Sequence, residues 1–143
     1  MEQLPEFVGN HLSLFSLLVS ILMLLIWNLF GDMLSGVKLL LPVEVTQLIN
    51  REDAKVVDLR PQKDFENGHI IDAINISADQ LSGQLDKLKK HKDKGIVFCC
   101  ASGAVSTKEA RKLMHEGYEK IYSLKGGIVS WQSANLPLTK GLK

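Results

Sequence analysis

Nineteen consecutive residues, Leu12 to Phe30, carry no charge, and their only polar members are Ser13, Ser16, Ser20 and Asn28. About 20 apolar residues in a helix cross a bilayer's hydrocarbon core. A helix of that length lying on a globular core shows one polar face, whereas this stretch is apolar nearly all round. Trp27 and Phe30 fall toward one end, where interfacial aromatics collect. The expectation is a transmembrane helix over residues 12–31, with residues 1–11 as a tail and residues 32–38 as a linker. A cleaved leader fits less well. It needs a basic start, a shorter apolar core and a small-residue cleavage site; here Glu2 and Glu6 precede a long core. Ser16 and Ser20 form a small-xxx-small pair of the kind that supports helix pairing.

The net charge of +1 hides an asymmetry. Residues 1–37 hold Glu2, Glu6 and Asp32 and no Lys or Arg, while all 17 basic residues lie from Lys38 onward against 13 acids. Positive flanks stay on the cytoplasmic side, which puts the tail outside and the rest of the chain in the cytoplasm. The balance is too mild, and too free of interleaved aromatics, for nucleic-acid binding. Lys87, Lys89, Lys90, Lys92 and Lys94 read as a solvated helix end and turn, with contact to anionic lipid headgroups as the alternative. Cys99 and Cys100 are the only cysteines. Adjacent cysteines bridge only through a strained ring, so a reducing compartment is expected. They show no metal-ligand spacing with His11, His69, His91 or His115.

Beyond the linker, residues 39–143 alternate between strand and helix patterns. Strands are expected at Leu39–Leu41, Lys55–Leu59, Ala73–Ile76, Ile96–Cys99 and Ile121–Leu124. Helices are expected from Pro42 to about Asn50, over Gln62–Gly68, from Leu81 to about Lys90, over Thr107–Glu116 and over Ile128–Ala134. Such alternation specifies a mostly parallel sheet covered on both faces.

Strand Ile96–Cys99 delivers the chain to Cys100-Ala101-Ser102-Gly103-Ala104-Val105, with a helix expected to open near Ser106 or Thr107. Small residues let successive backbone N–H groups turn inward, and glycine takes a positive φ. A helix N-terminus adds unpaired N–H groups and partial positive charge. Such a nest holds an anion and lowers a thiol pKa. On position alone, a buried cysteine closing a core strand is an equal reading.

Asp58-Leu59-Arg60-Pro61-Gln62-Lys63-Asp64-Phe65-Glu66-Asn67-Gly68-His69-Ile70, followed by Ala73-Ile74-Asn75-Ile76, resembles the first signature of the rhodanese (sulfurtransferase) superfamily. Gly126-Gly127-Ile128-Val129-Ser130-Trp131 resembles the second, and Cys100-x-Ser102-Gly103 stands between them where that family carries its catalytic cysteine. One anchor followed by one such domain also resembles a group of bacterial membrane proteins. The resemblance implies a doubly wound five-stranded α/β sheet. It implies that thiolate Cys100 takes the outer sulfur of a sulfane donor as a persulfide and passes it to a thiol or cyanide. It implies no metal or organic cofactor. The substrate loop would be Ala101, Ser102, Gly103, Ala104, Val105 and Ser106. Asp58 and Arg60 would fix loops, with Glu66 as a further ion-pair candidate. His69 and Trp131 would be architectural, and Cys99 would point away into the core.

Two departures qualify the implied chemistry. Active members often carry C-R-x-G-x-R, and here Ala101 and Val105 stand in place of both arginines. A dianionic donor loses a fork-shaped partner thereby; Lys108 and Lys125 are the nearest substitutes in sequence, and both read as surface lysines. Asp72 stands where the family often has glycine. The phosphatases of this fold carry C-x5-R, and the sixth residue after Cys100 is Ser106. The expected function is therefore a sulfurtransferase tethered to the cytoplasmic face of a bacterial inner membrane. The alternative is a catalytically weak module docking a membrane or cytosolic protein.

Overall fold

A computed structural model describes residues 11–30 and 36–142; most of the expected tail and linker lies outside the described residues. The chain divides into two compact units, one holding a long apolar helix and the other all five strands. Helix α1 (Leu12–Phe30) buries none of its residues within the protein. It is the single helix among the described residues that is long and apolar enough to cross a membrane, with mean hydropathy 2.3. At ~1.5 Å per residue its length is about 28 Å, close to a hydrocarbon core of ~30 Å. The Ser16 and Ser20 hydroxyls donate to the carbonyls of Ser13 and Ser16 at 2.9 and 2.8 Å. Those donors are thus satisfied within the helix itself.

In the second unit the order is β1 (Lys38–Leu40), α2 (Pro42–Glu52), β2 (Lys55–Asp58), α3 (Gln62–Asn67), β3 (Ile74–Asn75), a 3-10 turn (Leu81–Gln84), α4 (Asp86–Lys89), β4 (Ile96–Cys99), α5 (Ala104–His115), β5 (Ile121–Leu124) and α6 (Gly127–Ser133). The sheet runs β1-β5-β4-β2-β3, and every pairing is parallel. Asp58 lies opposite Cys99, so the ends of the two central strands finish level.

Alternation along each strand splits the apolar residues into two cores. Val57, Ile96, Phe98 and Ile121 face α5 through Ala110 and Leu113, and pack with Leu81 and Leu88. Val56, Val97, Cys99 and Leu124 face the other way, with Val45 of α2 and Ile128 and Trp131 of α6. Among the described residues, both cores draw on Val37 and residues beyond it.

Several boundaries differ from expectation. Val37, assigned to the linker, is buried in the first core, and β1 starts at Lys38. Leu81, Leu85 and Leu88 follow helical spacing but span a 3-10 turn and one turn of α-helix, because Ser82 and Gly83 are poor helix formers. Helix α5 starts at Ala104, well before Thr107. Gly103 caps it at φ +97°, and the amide and hydroxyl of Thr107 both donate to the Gly103 carbonyl, at 3.2 and 2.8 Å. Asp72 takes φ +58°, the left-handed conformation that explains a glycine preference there and that Asp tolerates.

The loop after β2 is fixed by a buried ion pair. Asp58 is wholly buried, and its carboxylate accepts the Arg60 amide at 3.0 Å and the guanidinium at 2.7–3.1 Å. Arg60 also donates to the Gly68 carbonyl at 2.7 Å, and Asn75 Nδ2 donates to the carbonyls of Asp58 and Arg60. Glu66 takes no part in this pair; it accepts from Gln62 Nε2 at 2.8 Å. Removing one partner of a buried pair strands the other. Asp58→Ala is therefore expected to cost about 3 kcal/mol in urea unfolding of residues 36–143, while Asp86→Ala, at the solvated pair with Lys89, leaves the midpoint unmoved.

Candidate active site

Cys100 is the first residue beyond β4, and its backbone is held from two directions. Its carbonyl accepts the Ile128 amide at 2.9 Å, and the Ala101 carbonyl accepts the Val129 amide at 3.4 Å. The opening of α6 thus clamps the opening of the cysteine loop. The clamp requires Gly127: a Cβ there would lie 2.3 Å from the Cys100 carbonyl oxygen and 2.6 Å from that of Ala101, with φ already at +62°.

Within the loop the Gly103 amide donates to Cys100 Sγ at 3.0 Å, and Sγ lies 3.5 Å from Ser106 Oγ. The side chain is mostly enclosed, with Cys100 5% exposed. Enclosure alone pushes a thiol pKa up. Here the Ser106 hydroxyl and the amides of Ser106, Gly103 and Ser102 outweigh burial and hold the Cys100 thiol below its ordinary value. A neutral thiol donates to Ser106; on ionisation the hydroxyl turns to donate to sulfur. Ser106 Oγ also contacts Ser123 Oγ at 2.8 Å and the Gly103 carbonyl at 3.0 Å, and Thr107 Oγ1 reaches Ser123 Oγ at 3.1 Å. Three buried hydroxyls therefore stand behind the sulfur.

Cys99 shows the opposite balance. It is fully buried; desolvation pushes its thiol well above the ordinary value, the Asp58 charge adds to that, and Arg60 opposes it. The two adjacent thiols are separated by a single step of strand alternation into inert and activated forms.

The expected site residues divide into three groups. Cys100, Ser102, Gly103 and Ser106 meet around the sulfur. Ala101, Ala104 and Val105 are exposed, as are Lys108 and Lys125; Ala104, Val105 and Ser106 form the first turn of α5. Asp58, Arg60, His69 and Trp131 support structure, their side chains bonding to partners other than Cys100. His69 Nδ1 lies 2.8 Å from the Phe65 carbonyl and so must carry the proton, and its ring stacks on Phe65 at 3.7 Å. Trp131 is buried and donates Nε1–H to the Pro137 carbonyl at 3.1 Å. Sequence reasoning missed Ser123, Thr107 and Asn75. Ser123 left a trace, as the single small polar residue of an otherwise apolar strand.

The fold and the loop define a class: a parallel α/β domain that presents one activated cysteine in a backbone cradle at the strand ends. Residues 41–134 match the model of the rhodanese-like domain, and the chain belongs to that family. It is 36% identical over 142 residues to the uncharacterized protein YibN of Escherichia coli, with 99% of both chains covered. It is also 36% identical over 92 residues to the tRNA uridine(34) hydroxylase of Erwinia tasmaniensis, covering 62% of this chain and 26% of that one. Among solved structures, a thiosulfate sulfurtransferase from Pseudomonas aeruginosa superposes with TM-score 0.69 at 20% identity, over 80% of this chain and 23% of that one. That likeness is one of fold.

The hydroxyl cluster can be tested through reactivity. Alkylation of Cys100 by iodoacetamide rises with pH as the thiolate forms, and its curve is expected to lie at lower pH than that of free cysteine. Ser106→Ala should move the curve to higher pH and slow the reaction near neutrality about tenfold, the effect of losing a hydrogen bond worth ~1.4 kcal/mol to a charged group. Cys99 should stay unmodified throughout in the folded protein.

Proposed function

We propose that this protein is a sulfurtransferase anchored by α1 in a bacterial inner membrane, with its α/β domain in the cytoplasm and Cys100 as the sulfur carrier. The observation that carries the reading is the cradle at Sγ: an amide at 3.0 Å, a hydroxyl at 3.5 Å and a thiol held below its ordinary pKa. Membership of the rhodanese-like family supports the reaction class, and the length and apolarity of α1 support the anchor.

The thiolate of Cys100 attacks the terminal sulfur of a donor R–S–SH. A new S–S bond forms at Cys100, the donor's S–S bond breaks, and R–S⁻ leaves. With thiosulfate the leaving group is sulfite. An acceptor thiolate then attacks the outer sulfur of the Cys100 persulfide, taking it as a new persulfide and returning Cys100 as thiolate. The same amides that favour the thiolate favour the persulfide anion. No base is needed, which agrees with His69 being committed to Phe65.

Ala101 and Val105 place no cation at the mouth of the loop, so the amides are the sulfur's source of positive potential. A donor with an uncharged tail is accordingly the better substrate than dianionic thiosulfate. Intact-mass measurement of residues 36–143 after exposure to each donor tests this. The small persulfide should add about 32 Da, one sulfur, to the wild type and nothing to Cys100→Ser, with thiosulfate reacting more slowly. No adduct from either donor would leave the domain as a docking module for a protein partner.

A further inference from the structure

Because every strand runs the same way, the chain comes into all of them at one end of the sheet, and Cys100 lies at the other. At that first end the four neighbouring strands β1, β5, β4 and β2 are each preceded by or begin with lysine: Lys38, Lys120, Lys94 and Lys55. Their backbones are in direct contact there. Lys55 N donates to Gly95 O at 3.0 Å, Ile96 N donates to Lys120 O at 2.9 Å, and Lys38 is in register with Tyr122. Lys90 and Lys92 belong to the loop leading into β4, and Lys92 Nζ lies 5.1 Å from the centre of the Tyr118 ring. The shared field of these ammoniums is felt at His91, which is held below its ordinary pKa by burial and then by Lys90, Lys55 and Lys94, against the opposing Asp53. Glu52, Asp53, Asp93, Glu116 and Glu119 share the edge, Asp53 pairing with Lys94; with Arg51 the six lysines still outnumber these acids and leave the edge net positive.

The same edge is where the chain arrives from α1. Seven residues, 31–37, separate the two, a contour of about 25 Å at most. We propose that this lysine-lined edge is a docking surface for an anionic lipid bilayer, an inference that rests on reading α1 as a membrane anchor. The tether supplies the high effective concentration that lets a modest charge excess act. Strands of four residues, at ~3.3 Å per residue, set Cys100 about 13 Å further along the sheet, so docking by this edge leaves the cysteine loop open to solvent.

The full chain, reconstituted in liposomes of phosphatidylcholine with or without roughly one-third phosphatidylglycerol, tests this through brief amine acetylation read by peptide mass spectrometry. Phosphatidylglycerol is expected to slow modification of Lys38, Lys90, Lys92, Lys94 and Lys120 several-fold, to leave Lys108 and Lys125 unchanged, and to lose its effect in high salt. The triple variant Lys90→Glu, Lys92→Glu, Lys94→Glu should lose the protection at Lys38 and Lys120 while Cys100 keeps its alkylation rate. Equal rates in the two liposomes, with the protein floating in both, would sink the docking surface and leave the anchor standing. Failure to float would remove the anchor and the proposal with it. Slowing at these lysines by a short RNA, with none from anionic lipid, would overturn the proposal in favour of nucleic acid.

Discussion

The site depends on a backbone contact that has no room for a side chain. Ile128 N reaches Cys100 O because Gly127 brings the start of α6 against the cysteine loop, at a separation where even a methyl group would overlap two carbonyl oxygens. That contact turns the Ala101 carbonyl outward toward α6, which leaves the Ser102 amide, on the opposite side of the same peptide plane, to face the sulfur beside the Gly103 amide. Gly103, at φ +97°, completes the turn and caps α5 in one move. A peptide that must show carbonyls to one neighbour and amides to another needs both glycines, and neither depends on hydrophobic burial.

Electrostatics at the strand end follows from that arrangement. Desolvation acts on both cysteines and opposes ionisation of both. At Cys99 the charge felt most strongly is that of the buried Asp58 carboxylate, which adds to the penalty. At Cys100 the neighbours are amides and a hydroxyl, which reverse it. Ser106 can serve because its oxygen is held by Ser123 and the Gly103 carbonyl, so it is aimed at the sulfur before any charge appears there. The amides of Ser102 and Gly103 are preorganised donors and cost no reorientation when the charge develops; at Ser106 only the proton turns, from the Gly103 carbonyl to the sulfur, while the oxygen stays in place. Asp58 meanwhile is spent on Arg60, which keeps its charge from the loop and ties the end of β2 to Gly68.

What the sequence disclosed was local, and what it withheld was long-range. The strands Ile96–Cys99 and Ile121–Leu124 are legible because four-residue apolar runs ending in turn residues admit few alternatives, and the structure places them at those bounds. The cysteine loop was legible from its small residues. The start of α5 was not, because Ala104 and Val105 carry no capping signal; the cap is the conformation of Gly103 and the bonds of Thr107 to its carbonyl. Ser123 and Asn75 have partners 15 to 17 residues away in sequence, so no window of neighbours reveals them. Glu66, an ion-pair candidate that came with the family resemblance, stands outside the pair: the guanidinium is taken by Asp58 and Gly68, and Glu66 accepts from Gln62.

The two ends of the sheet carry different chemistry for a reason rooted in parallel topology. Strand starts gather residues that exit helices and loops, and here lysine recurs at those points; strand ends gather helix openings and their unpaired amides. An antiparallel sheet would have mixed the two. On the proposed reading the consequence is positional. A donor with a soluble or protein-borne persulfide meets Cys100 from the side away from the chain's arrival from α1, and the exposed Ala101, Ala104 and Val105 offer it an uncharged rim. Selection among donors then rests on what fits against that rim, since the cradle itself recognises only a sulfur anion.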